Sequence, residues 1–138
     1  MVQREEGIQK EKCLKAIWQT LCLCSLFFVS SAGFGRSPNE INCLKRVVWA
    51  EARGESHEGR RAVAHVIINR AVQRKQNVCS IVNERGQFVQ GRPPTSFNVV
   101  LGASDPTNGA THFRTRDMPR WLGLRKYLRI GNHTFYGK

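Results

Sequence analysis

Residues 44–61 read LKRVVWAEARGESHEGRR and hold parts of two helices and the corner between them. Leu44, Val47 and Val48 recur at three- and four-residue spacing, which sets them on one stripe of an amphipathic helix. The next position on that stripe is Glu51, a carboxylate where a core expects a hydrophobe. Upstream, Ser37-Pro38-Asn39-Glu40 is a helix start: Ser37 caps, Pro38 suits the first helical position, and Glu40 reaches back as a capping box. This helix is expected to run to about Arg53, with Gly54 as its stop. Ser56 caps a second helix, and Glu58 in its first turn complements the helix dipole. That helix extends to about Arg74, with Val63, Val66, Ile67 and Ala71 as its apolar stripe.

The elements weaken further along the chain. VCSIV (78–82) predicts a short helical turn, and GQFVQGRPPTS (86–96) is a loop by composition. FNVVLGAS (97–104) predicts a short helix ending near Gly102, followed by a turn at DPTNG (105–109). ATHFRT (110–115) and NHTFYG (132–137) predict two strands paired as an antiparallel ribbon, and RDMPRWLGLRKYLRIG (116–131) between them predicts a loop with some helix. The fold class expected is α+β, mostly helical, in one small domain with a minor sheet and no internal repeats.

The 138 residues carry 22 basic and 10 acidic side chains, a net charge of +12. Such a charge suits a polyanionic partner, although charge bears on association more than on fold or chemistry. At the N-terminus, Lys10, Lys12 and Lys15 precede AIWQTLCLCSLFFVSSAGFG (16–35), an uncharged and mostly apolar run. A basic stretch, an apolar run and the small residues Ser30 to Ala32 make a secretory signal peptide over residues 1–32, with an uncleaved membrane anchor as the alternative. Removing its four basic and three acidic residues leaves 18 and 7, a net +11, so the basic character belongs to the domain at 37–138. Cys13, Cys22 and Cys24 leave with that segment. Cys43 and Cys79 remain, and an even pair in an exported protein suggests one disulfide, against the alternative of two buried thiols. No CxxC or HExxH spacing appears, so no metal and no cofactor is expected.

Two readings of Glu51 stand open on periodicity alone. It is either paired with an arginine, such as Arg53 or Arg70, or it is a functional acid. A carboxyl in low-polarity surroundings holds its proton to higher pH, because burial penalises the charged form. That is the property a general acid needs.

The segment CLKRVVWAEARGESHEGRRAVAHVIINRAV (43–72) resembles the opening of the cell wall hydrolase family typified by the spore-cortex-lytic enzyme, the SleB type. NVCSIV, GQF, DPTNGATHF and IGNHTFYGK resemble further blocks of that family in the same order, so the resemblance spans about residues 40–138. It implies a small, mostly helical lysozyme-like domain that cleaves the bond between N-acetylmuramic acid and N-acetylglucosamine in peptidoglycan. It implies lytic transglycosylase chemistry, with the catalytic acid at Glu51; the alternatives are a non-catalytic or weakly active wall-binding relative and a two-carboxylate muramidase. The softer expectations are substrate contacts at Gln87, Phe88, Thr107, His133 and Glu55. For Phe88 core packing competes, for His133 a buried backbone partner, and for Glu55 a role in the turn between the helices. Asp105, Pro106 and Gly109 are expected to set turn geometry, and Asn69 to bond a neighbouring loop.

Partners expected are peptidoglycan glycan strands, with electrostatic contact to an anionic wall or membrane through the basic residues at 114, 116, 120, 125, 126 and 129. No zinc-finger or RNA-binding signature accompanies the charge, so nucleic acid is not expected. The protein is expected to be exported to the periplasm or wall as a monomer. Three departures from the family stand out. VQGRPPTS (89–96) is shorter than the usual segment, Gly86 stands where many relatives carry a cysteine, and Asn108 replaces a glycine.

Overall fold

The structure, a computed structural model, describes residues 35–116, 118–119 and 121–138. The expected signal segment, Asp117 and Arg120 lie outside the described residues. Among the described residues no helix is long and apolar enough to cross a membrane.

Helix α1 (Pro38–Ala52) begins with the capping box read from the sequence. The Glu40 amide donates to Ser37 Oγ at 3.3 Å, and the Ser37 amide donates to Glu40 Oε2 at 3.2 Å. Glu40 does more than cap. Its Oε1 accepts the Val78 amide at 3.4 Å, which joins the start of α1 to the start of α3 (Val78–Val82). The same two elements are stapled by a Cys43–Cys79 disulfide with Cα atoms 5.4 Å apart and 36 residues of separation. Closing a loop of that length stabilises by about 4 kcal/mol in the chain-entropy account.

Helix α1 ends one residue short of expectation, and Gly54 is not its stop. Arg53 stays right-handed as the C-cap, and Gly54 is not among the left-handed glycines. The corner closes instead through the Glu55 amide, which donates to the Ala52 carbonyl at 3.0 Å. Helix α2 (His57–Arg74) follows at once, its Ser56 cap accepting the Gly59 amide at 3.2 Å. Buried residues run almost continuously from Ala62 to Ala71, broken by half-buried His65 and Asn69, so α2 is the central helix. Leu44, Val47 and Val48 of α1, Val63, Val66 and Ile67 of α2, Ile81 and Val82 of α3, and Phe135 are all fully buried and form one core.

The sheet has three strands, not two: β1 (His112–Thr115), β2 (Arg125–Ile130) and β3 (His133–Gly137), in the order β1-β3-β2 and antiparallel throughout. The expected β1–β3 ribbon is present. The expected loop with some helix instead holds β2, and an irregularity between Lys126 and Leu128 hides it by breaking the two-residue alternation. Phe113, Phe135 and Leu128 share the inner face, packed on the core. The expected helix at 97–104 is also replaced. Phe97, Val99 and Leu101 turn inward while Asn98, Val100 and Gly102 are exposed, the period of an extended chain. Tertiary contacts hold it there: Phe97 meets the Trp49 ring edge-on at 5.1 Å, and the Leu101 carbonyl bonds His65 Nε2 at 3.0 Å.

Candidate active site

Glu51 sits on the last turn of α1, half-buried at the edge of the stripe formed by Leu44, Val47 and Val48. The loop at 86–91 crosses this flank of the helix. The Gly91 amide donates to the Arg46 carbonyl at 3.0 Å, and a side chain at Gly91 would meet the Trp49 indole at 2.9 Å. Between those anchors the Val89 amide donates to Glu51 Oε1 at 2.8 Å. That is the single hydrogen bond that Glu51 accepts among the described residues, and no arginine or lysine pairs with it there. The ion-pair reading of Glu51 therefore has no support from Arg53 or Arg70.

Arg70 does something else. It lies on the buried face of α2, 5% exposed, donating from Nε to the Thr111 carbonyl and from Nη1 to Gln87 Oε1 at 3.1 Å. Its guanidinium also covers the Phe88 ring at 4.8 Å. One side chain thus ties the crossing loop to the helix and to the start of β1. On periodicity Arg70 stands as a candidate partner for Glu51, not as the tie between loop and strand. The available signal was an arginine next to Ala71 on an otherwise apolar stripe.

Glu55, four residues on, has the opposite fate. Its carboxylate accepts the Asn132 amide at 3.2 Å and the Asn132 side-chain amide at 3.1 Å, gripping the β2–β3 turn. Gly131 there has φ +58, and a Cβ on it would collide with Glu55 Oε2. His133, 2% exposed, stands beside this clamp with Nδ1 3.9 Å from Glu55 Oε1, and neither ring nitrogen has a hydrogen-bond partner. Burial pushes its pKa below the ordinary 6.5, against the pull of Glu55 and then Glu51. Phe113 meets the imidazole edge-on at 5.1 Å and stacks with Phe88 at 6.4 Å. Glu51, Phe88, Phe113, His133 and Glu55 therefore line one corner between α1, the crossing loop and the inner face of the sheet.

Of the expected substrate contacts, Gln87 is exposed and Phe88 half-buried beside this corner. Thr107 is elsewhere and fully buried, which removes it from the position expected of a glycan contact. Its amide and hydroxyl both donate to Asp105 Oδ1 at 2.7 Å, because the turn needs them. Asp105 Oδ2 takes the Asn69 side chain and the Gly109 amide, each at 2.8 Å. Burial works to raise the Asp105 pKa, but these hydrogen bonds outweigh it and hold the carboxyl below the usual range. The turn at 105–109 is a structural knot on α2. Asn108 tolerates its left-handed φ of 55 in the knot, as the substitution for glycine allows.

Surface hollows lie at His57, Glu58, Arg61 and Val100, at Asn69, Gln73, Gly109 and Thr111, and at Asn108, Arg125, Lys126 and Tyr127. None of these three includes Glu51, so the corner is identified by its side chains. Among the described residues no cluster of His, Cys, Asp or Glu has the makings of a metal site.

The family model described as Cell Wall Hydrolase matches residues 54–136. The match begins just after Glu51. The spore cortex-lytic enzyme of Halalkalibacterium halodurans is 34% identical over 117 residues, covering 73% of this chain and 36% of the relative. Its namesake in Bacillus subtilis is 32% identical over 117 residues, covering 73% and 38%. This chain thus spans well under half the length of these curated relatives. Among solved structures, the catalytic domain of the Bacillus cereus SleB protein superposes with a TM-score of 0.61 at 24% identity, over 75% of this chain and 94% of that one. The catalytic domain of the germination-specific lytic transglycosylase SleB from Bacillus anthracis gives 0.55 at 24% identity, over 75% and 98%. The fold is the small lysozyme-like α+β domain of those structures.

Proposed function

This chain belongs to the cell wall hydrolase family, and on that premise we propose that it is an exported enzyme cleaving the N-acetylmuramic acid–N-acetylglucosamine bond of peptidoglycan as a lytic transglycosylase, with Glu51 as its acid. The observation that carries the reading is the state of the carboxylates. Glu40 serves the caps of α1 and α3, Glu55 grips the β2–β3 turn, Glu84 pairs with Arg74 at 2.6 Å, and Asp105 knots its turn. Among the described carboxylates, Glu51 alone combines a half-buried position with one orienting hydrogen bond and a place beside the aromatic corner.

A hydrolase of the two-carboxylate kind needs a second free carboxylate at a set distance from the acid. Glu55 is the nearest in sequence, and its two oxygens are engaged by Asn132, which favours a one-acid mechanism. In that mechanism the Val89 amide orients Oε1, and a protonated Glu51 gives its proton to the glycosidic oxygen as the bond to muramic C1 breaks. The resulting carboxylate then takes the proton of the muramic C6 hydroxyl, whose oxygen closes onto C1 as a 1,6-anhydro ring. No water is consumed, and Glu51 ends as it began. Gln87, whose Oε1 is taken by Arg70, offers its side-chain NH2 as a donor to the glycan at the mouth of the corner, beside the half-buried Phe88 ring. Mass spectrometry of muropeptides released from purified walls tests the proposal: 1,6-anhydro ends are expected, and reducing muramic ends would remove the transglycosylase mechanism.

A further inference from the structure

The outer face of the sheet is built differently from the inner one. Paired residues on neighbouring strands share a face, so the register sets His112, Tyr136 and Lys126 in one row and Arg114, Thr134 and Arg129 in the next. Where the inner face carries Phe113, Phe135 and Leu128, this face carries cations. Trp121, between β1 and β2, lies over it. Trp121 lies 6.0 Å from the Tyr136 ring and 5.3 Å from His112, with the Arg114 guanidinium 5.2 Å from its centroid. The indole is thereby held in place, yet it remains 39% exposed, and beside it Leu122 is 95% and Met118 60% exposed. From residue 106 to the last residue the sequence has seven basic side chains and one acidic, Asp117.

We infer that this face is a docking surface for an anionic lipid bilayer, with Trp121 and Leu122 entering the interface and Arg116, Lys126 and Arg129 meeting the headgroups. The charge suits any polyanion. The apolar group decides between them: a glycan takes flat aromatic rings and hydrogen-bonding side chains, a soluble polyanion takes cations with stacked aromatics where it carries bases, and neither calls for exposed leucine and methionine. Leucine and methionine presented to water beside a fixed tryptophan gain free energy by leaving water for an apolar phase, which a bilayer supplies next to its anionic headgroups. Basic residues around them add attraction to an anionic leaflet, which salt weakens.

The test uses the full chain with Trp18→Phe and Trp49→Phe, which leaves Trp121 as its sole indole. This isolates the surface from any membrane affinity of the N-terminal segment. Vesicles containing phosphatidylglycerol are expected to shift Trp121 emission to the blue in a salt-sensitive way, while phosphatidylcholine vesicles and soluble polyphosphate leave it in place. Leu122→Asp, at a position with no packing role, and the pair Arg116→Ala with Lys126→Ala are each expected to weaken this response roughly tenfold. An unshifted indole, an equal shift with polyphosphate, or a response unchanged in both variants would overturn the inference.

Discussion

Glu51 and Glu55 lie four residues apart on either side of one corner, and their surroundings treat them in opposite ways. Glu51 belongs to a helix, takes one amide from a crossing loop and keeps an oxygen unengaged among the described residues. Glu55 lies past the helix end and spends both oxygens on the β2–β3 turn. In the proposed mechanism one short motif supplies chemistry and scaffolding together. The second glutamate holds the hairpin that carries His133 and Phe135, and with it the aromatic wall beside the first. Charge and residue type do not separate the two roles; the partners do.

The largest expected effect is Glu51→Gln, which keeps the shape and removes the proton. Muropeptide release should fall by about 10²- to 10⁴-fold, the usual contribution of a positioned general acid, with the melting temperature unchanged. Gly131→Ala should strike the other side of the comparison. Its Cβ meets Glu55 Oε2 in a left-handed backbone, so chemical denaturation should show a loss of roughly 1–3 kcal/mol. A neutral result there would mean that the clamp is loose. Glu55→Ala removes the two bonds to Asn132 and should cost roughly 1–2 kcal/mol by the same measurement, while the folded protein retains turnover.

The smallest effect concerns His133. Its folded pKa lies below the ordinary 6.5, so the folded protein binds fewer protons than the unfolded chain, and stability drops as the pH falls through 6.5. Glu51 and Glu55 face the ring and soften that loss by favouring the charged form. Between pH 7 and pH 5, wild type should therefore lose more stability than His133→Phe in thermal melts. Equal losses would show that the imidazole is not kept neutral by burial.

Much of this was legible in residues that act locally. The Ser37–Glu40 box, the Ser56 cap and the α2 stripe follow from rules spanning a few residues, and each stands where those rules put it. The Asp105 turn was legible for the same reason. What was hidden depends on distant partners. Strand β2 is masked by its irregularity at Lys126–Leu128 and by cations on its outer row. Residues 97–101 run extended because Trp49 and His65 hold them, a preference no local pattern carries. The bond from Val89 to Glu51 spans 38 residues and uses a backbone amide, so no side chain in the sequence announces it. Arg70 is a similar case, since its partners Gln87 and Thr111 come from a loop and a strand edge.

The central claim is the division of labour between the two glutamates. It is tested most directly by measuring muropeptide release for wild type, Glu51→Gln and Glu55→Gln at equal concentrations of folded protein. Glu51→Gln is expected to lose at least about a hundredfold while Glu55→Gln stays within a few-fold of wild type. Release by Glu51→Gln near the wild-type rate, or a loss in Glu55→Gln as deep as that expected of Glu51→Gln, would contradict it.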